Sequence, residues 1–263
     1  MTKQVKQLEA QLGVQLFTRS RAGMALTEPG QVLARRVPSL LAEWDEASRE
    51  TKGTASRIAR VLCVGFIASA ANESTVDILG VFARRRPGWR VDMRQAAWSN
   101  PTAGLADGDV DVALLRLPFP GEDALRVEVL FTEPRWIALP AAHPLAERAE
   151  IPFRELWDEP FVAAPAETGE WRDYWLAAGE RDGRPIRIGA VTEQPDEWLG
   201  AIASGYGIAL TPASAARFYA RPGVTYRPVT DIDPTRVGVG WAPAADADPV
   251  VQDFVRSCLD THP

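Results

Sequence analysis

Apolar positions recur along this chain in two rhythms. Val5, Leu8 and Leu12 fall at helical spacing, with Leu16 one turn further on. Lys3, Gln4, Lys6 and Gln7 lie off that stripe. Gly13 breaks the helix, and Arg19, Ser20, Arg21 and Gly23 form a basic tip between Leu16-Phe17 and Ala25-Leu26. Thr27 is placed to cap a second helix. In residues 28–51, Leu33, Val37, Leu40, Trp44 and Ala47 are spaced four, three, four, three. That is an a/d seam, which implies a partner helix. Pro38 inside the run predicts a kink or a split. Lys52-Gly53-Thr54-Ala55-Ser56 is small and polar and suits a hinge.

From Arg60 the rhythm changes. Residues 61–66 form a short continuous apolar run, as a buried parallel strand requires. The pattern predicts further strands at 91–95, 110–115, 125–131, 136–139, 161–164, 187–192, 207–210 and 237–241, with 224–228 leading back. It predicts helices at 72–86, 101–107, 171–178, 196–203 and 249–259. Arg84-Arg85-Arg86 falls in a last helical turn, where cations oppose the negative helix end. Strands alternating with helices give an α/β fold.

Helix, basic hairpin, capped helix is the order of a winged helix-turn-helix. The residues TKQVKQLEAQLGVQLFTR, followed by LTEPG, resemble the LysR-type bacterial transcriptional regulators. LADGDVDVALLR, AAHPLAERAEIPFRELWDEPFV and AIASGYGIALTPASA extend the resemblance over nearly the whole chain. It implies a two-lobed, periplasmic-binding-protein-like effector domain, preceded by a partial winged helix-turn-helix and a long linker helix. Residues 1–27 are then the partial DNA-binding domain, 28–59 the dimerising linker helix and hinge, and 60–263 the effector-binding domain. Lobe I would take 60–117 and 229–263, and lobe II 118–228, with crossings near Leu117-Pro118 and Pro228-Val229. Met1 aligns inside the family's recognition helix, so roughly 30 residues of a three-helix reader are expected to be absent.

The charge is unevenly spread. Residues 1–60 hold ten Lys/Arg against six Asp/Glu, and the remainder holds 19 against 29. A basic head on an acidic body fits a head that meets phosphate. Lys3, Gln4, Lys6 and Gln7 on the helix, with Arg19 and Arg21 on the wing, are the candidate DNA contacts. No apolar run is long enough to span a membrane, and no signal peptide is expected. Cys63 and Cys258 read as reduced core residues of a cytoplasmic protein. Only His143 and His262 are available to a metal cluster or a Ser-His-Asp triad, and His143 reads as structural. There is no P-loop, dinucleotide fingerprint or CxxC pair, so neither an enzyme nor a cofactor is expected.

In open α/β sheets, ligands bind beyond the carboxyl ends of the strands. Four turns fit: Ser69 after the first strand, Trp98-Ser99 after the second, Pro165-Ala166-Glu167-Thr168, and Thr192 with Gln194. Helix N-termini there offer unpaired N–H groups to an anion. The resemblance adds Arg116, at a strand end close to the family's effector cleft. Trp98, Trp171, Trp175 and Trp198 fall in or near these turns and suit a ligand with a ring. The expected protein is a homodimeric or homotetrameric regulator of DNA that responds to a small-molecule effector, such as a carboxylate. Its rivals are a truncated effector-binding protein without DNA activity, and an enzyme on a similar two-lobed fold.

Overall fold

The computed structural model describes residues 3–20, 23–67, 70 and 74–262. It divides into two compact units, 1–55 and 56–263.

The first unit opens with α1 (Lys3–Leu12), followed by a hairpin of β1 (Phe17–Ser20) and β2 (Gly23–Leu26). Gly13 takes φ +69°, which ends α1. Glu9 then folds the chain back, its carboxylate accepting from the Leu16 and Phe17 amides at 2.8 and 3.2 Å. Thr27 caps α2 (Glu28–Ile58): its Oγ1 accepts from the Gly30 amide at 3.0 Å and donates to the Gln15 carbonyl at 2.6 Å. A cap of this kind stabilises a helix by about 1 kcal/mol. Gly30 is required by packing, since a Cβ there would lie 2.1 Å from the Leu16 carbonyl oxygen. Pro38 does not split α2, which runs on through the expected hinge at residues 52–56. Thr51 and Thr54 donate back to the carbonyls of Ala47 and Glu50 there, so the polar run is absorbed into the helix. The seam residues Leu40 and Trp44 are bare in the single chain, at 56% and 70% exposure.

The second unit holds a five-stranded sheet in the order β4-β3-β5-β13-β6. Its strands are β3 (Val61–Ile67), β4 (Arg90–Ala96), β5 (Val112–Leu117), β6 (Arg126–Glu133) and β13 (Thr235–Trp241). β3 pairs in parallel with β4 and β5, whereas β13 runs antiparallel to β5 and β6. Alternate residues face opposite sides. Leu62, Val64, Val112 and Leu114 meet α3 (Ser74–Arg85) and α7 (Pro249–Thr261), where Phe82 and Phe254 pack edge to face at 5.5 Å. Arg85 and Arg86 pair with Asp260 and Asp253 of α7, so this basic run fastens two helices together. The other face carries Cys63, Ile67, Ala113 and Leu115.

A four-stranded sheet, β11-β7-β12-β8, comes from β7 (Arg135–Pro140), β8 (Ile151–Pro152), β11 (Ala209–Pro212) and β12 (Val224–Thr230). A parallel pair lies beside it, β9 (Pro160–Ala163) and β10 (Arg187–Val191), joined through the Phe161–Ile208 bridge. α4 (Glu170–Trp175), α5 (Pro195–Ala203) and α6 (Ala215–Phe218) complete the unit.

Three expectations change. The chain does not leave the first sheet near Leu117-Pro118. β6 returns along β13 as far as the Glu133–Thr235 rung, and Arg135 opens the second sheet opposite Pro212. Pro134 separates them because it has no amide to continue a ladder. The return crossing runs through residues 231–234, beyond Pro228-Val229. Residues 101–107 form hydrogen-bonded turns, not a helix. Ala103 and Gly104 take φ +54° and +89°, and Asn100 Oδ1 accepts from the Thr102 hydroxyl and the Gly104 amide in place of helical bonds.

These turns press on β3, where a Cβ on Gly65 would lie 2.1 Å from the Ala103 carbonyl oxygen. Gly200, inside α5, has open space around its own. Gly65→Ala should destabilise the protein by about 2 kcal/mol or more. Gly200→Ala should stabilise it by roughly 0.5–1 kcal/mol. Chemical denaturation of both variants checks the pair; equal effects would contradict the close approach at β3.

Candidate functional site

A cavity of about 80 Å³ lies between the two sheets. The first sheet contributes Ile67 at the end of β3, Trp98 in the turn after β4 and Arg116 on β5. The opposite wall comes from β9, α4, α5, β11 and α6, and includes Trp171, Arg172, Trp175, Trp198 and Tyr219. Trp98 meets Trp198 edge to face at 5.9 Å, and Trp171 meets Trp175 at 5.7 Å. Edge-to-face pairs leave ring faces available to a guest.

Arg116 is the charged floor of the cavity, only 2% exposed. Its NH1 pairs with Glu133 Oε1 at 2.5 Å, and its NH2 donates to Ser214 Oγ at 3.3 Å. Ser214 gives its hydroxyl to Glu133 Oε1 at 3.2 Å and its amide to Oε2 at 2.8 Å. Burial draws the Arg116 pKa down from its ordinary value, and Glu133 opposes that pull. The triad joins β5 and the end of β6 to the residue that opens α6.

Residues 97–100 form a second bridge. The Trp98 amide donates to the Glu193 carbonyl at 3.1 Å, and the Ser99 hydroxyl donates to the Glu193 carboxylate at 3.0 Å. The two turns are therefore fastened over one side of the cavity.

Residues 55–263 match the LysR substrate binding domain, and residues 1–31 match the bacterial regulatory helix-turn-helix protein of the lysR family. The chain belongs to the LysR family. The HTH-type transcriptional regulator AlsR of Bacillus subtilis (strain 168) is 26% identical over 269 residues, covering 100% of this chain and 87% of AlsR. The crystal structure of full-length CbnR complexed with target DNA matches with a TM-score of 0.60 at 20% identity, over 99% of this chain and 88% of CbnR. The effector binding domain of QuiR in complex with shikimate matches at 0.63 and 16%, over 77% of this chain and 96% of that domain. At these identities the structural matches establish the LysR fold.

Within this LysR chain the cavity gathers only part of the expected site. Trp98 and Arg116 line it, as do Trp171, Trp175 and Trp198. Ser99 is exposed and already bonded to a carboxylate, a poor seat for an anion. Pro165, Ala166, Glu167 and Thr168 follow the lining residue Ala164 but do not line the cavity, and Thr168 turns its hydroxyl onto the Pro165 carbonyl at 2.7 Å. Thr192 is buried outside the lining, and its amide donates to Ala163 at 3.0 Å. Gln194 is exposed at the start of α5. Ser69 lies outside the described residues.

Sequence reasoning missed Arg172, Tyr219, Glu133 and Ser214. Arg172 had a signal: it is a cation inside the aromatic run Trp171–Trp175. Glu133 and Arg135 flank a proline between two apolar strands, which also marked them. Ser214 had none, since serine in a turn is unremarkable. His143 is structural: Nδ1 accepts from the Leu145 amide at 3.2 Å, and Nε2 faces Glu159 at 3.4 Å. Among the described residues no cluster of His, Cys, Asp and Glu could hold a metal, and no helix is long and apolar enough to cross a membrane. In the first unit, Lys3, Gln4, Lys6 and Gln7 are all exposed on α1. Arg19 lies on β1, opposite Met24, and Arg21 is outside the described residues.

Glu133→Ala should destabilise the second unit by roughly 3–5 kcal/mol, because it strands a buried guanidinium. Replacing the pair together, Arg116→Met with Glu133→Leu, should recover most of that loss. Urea unfolding of the single and double variants separates the terms; an additive double variant would contradict a coupled pair.

Proposed function

We propose that this chain is a transcriptional regulator whose second unit takes a small-molecule effector in the tryptophan-lined cavity between its sheets. The observation that carries this reading is the cavity itself. It is concave and largely apolar, it holds a few polar groups, and its walls come from both sheets. QuiR, whose effector binding domain shares this fold, is described with shikimate bound, and CbnR with its target DNA. The proposal carries both modes of binding over to this chain.

The ligand acts by population shift. It must favour one arrangement of the two sheets over another, because equal affinity for both would change nothing. In the first unit, Lys3, Gln4, Lys6 and Gln7 meet the bases and phosphates of a DNA groove, and Arg19 and Arg21 make a wing contact. The seam on α2, with Leu40 and Trp44 exposed, pairs with the same helix of a second copy. A two-fold dimer then reads two half-sites. The protein acts in the cytoplasm and performs no chemical step.

Two experiments test the two halves. DNA selected from a random pool by the full chain should carry two-fold-related half-sites. Lys3→Gln with Lys6→Gln should weaken its binding and reduce the slope of log K against log salt by about one per lost phosphate contact. Failure to select any sequence would contradict the DNA assignment. For the effector, a thermal-shift screen of small metabolites should give ligands that raise the melting temperature. Ala164→Trp, which fills the cavity, should abolish those shifts. Retained shifts would place the ligand elsewhere.

A further inference from the structure

The cavity has an ionic inventory that narrows its ligand. Among the described residues its lining contains two arginines, Arg116 and Arg172, and no aspartate or glutamate. Arg116 is engaged by Glu133 and Ser214. Arg172 stands differently. Among the described residues its guanidinium has no ion-pair partner, and its Nε is buried without a hydrogen-bond acceptor. One turn further along α4, the Trp175 indole Nε1 is likewise buried without an acceptor. Positions three apart share a helix face, so two unanswered N–H donors are set side by side on one wall. A buried donor without an acceptor is costly, and on Arg172 that donor belongs to a half-buried cation.

We infer that the effector is a single-ring molecule bearing one carboxylate, with the carboxylate bound by Arg172 and Trp175 and the ring held among Trp98, Trp171 and Trp198. This rests on the proposed cavity as the effector site and adds the class of effector. A carboxylate offers two acceptor oxygens, one for each donor. Among the described residues the remaining lining is mostly apolar and aromatic, which suits a ring, and the other cation there, Arg116, is already paired. Size limits the ring. The cavity measures about 80 Å³, whereas an engineered apolar cavity of ~150 Å³ is what benzene occupies in another protein. A single ring therefore needs the walls to part, as at the Trp98–Trp198 contact, and a fused ring system needs a wider opening still.

The test uses three probes on the full chain, read by tryptophan fluorescence. Benzoate carries ring and charge, benzamide the ring alone, and succinate the charge alone. Benzoate should bind at least tenfold more tightly than benzamide, and succinate should give no saturable change. Arg172→Gln should erase the preference for benzoate over benzamide while leaving benzamide affinity where it was. Arg172→Lys should restore part of it. Equal binding of benzoate and benzamide by the parent protein overturns the inference without any variant having to fold. So does an undiminished preference in Arg172→Gln. If benzamide binds as well as benzoate and Ala164→Trp abolishes both, the cavity stands as the effector site and only the acid is lost. If none of the three gives a saturable change, the single-ring acid is wrong, while the thermal-shift screen still decides the cavity on its own.

Discussion

Three consecutive residues, Glu133, Pro134 and Arg135, stand where the chain passes from one sheet to the other, and both of their charged side chains are buried. Glu133 faces back to Arg116 and Ser214. Arg135 faces forward, donating to the Asp233 carbonyl at 2.7 Å and the Tyr174 carbonyl at 3.2 Å, and pairing with Glu180 at 2.9 Å. Asp233 belongs to the return crossing, so Arg135 ties the outgoing and returning segments together. Charges removed from water are tolerable only when almost every donor and acceptor is answered. That demand fixes the relation of the crossings more sharply than apolar packing would, because apolar contacts have no direction.

The cavity inherits its geometry from this joint. Arg116 is at once a member of the buried triad and the floor of the site. Ser214 opens α6, whose Ala215 and the following Tyr219 form part of the wall. Arg135 holds the Tyr174 carbonyl and stacks over its ring at 4.7 Å, which positions α4 with Arg172 and Trp175. A ligand that moves the walls must therefore work against directional bonds at one end. At the other end, among the described residues, it meets the hydrogen-bonded bridge from Trp98 and Ser99 to Glu193. The second is the weaker restraint, being partly exposed.

Much of the fold was legible. The 3.6 and 2 periodicities marked all the long elements, and Thr27 was readable as a cap because a hydroxyl before a helix has one common use. The turns at 101–107 were misread because positive φ at Ala103 carries no sequence mark. The first crossing was misplaced for a related reason. Both Pro118 and Pro134 interrupt apolar strands, and only the pairing of β6 with β13 decides between them. Of the residues that line the cavity, the tryptophans were legible because bulky aromatics near strand ends stand out, whereas Arg116 came from the family resemblance. The hydroxyls chosen as anion seats were not distinctive, and Ser99 and Thr168 spend theirs inside the protein. Arg172 carried a signal in the aromatic run Trp171–Trp175, but an arginine in a helix ordinarily reads as solvated.

Glu133 holds α6 to the first sheet through Arg116 and Ser214, as a local joint separable from global stability. Amide hydrogen exchange in the native state compares the parent with Glu133→Gln, which keeps the shape and removes the charge. Exchange should quicken in residues 131–135 and 209–219 and stay unchanged in the layer formed by α3 and α7. Quickening spread evenly over the whole second unit, or none in residues 209–219, would contradict it.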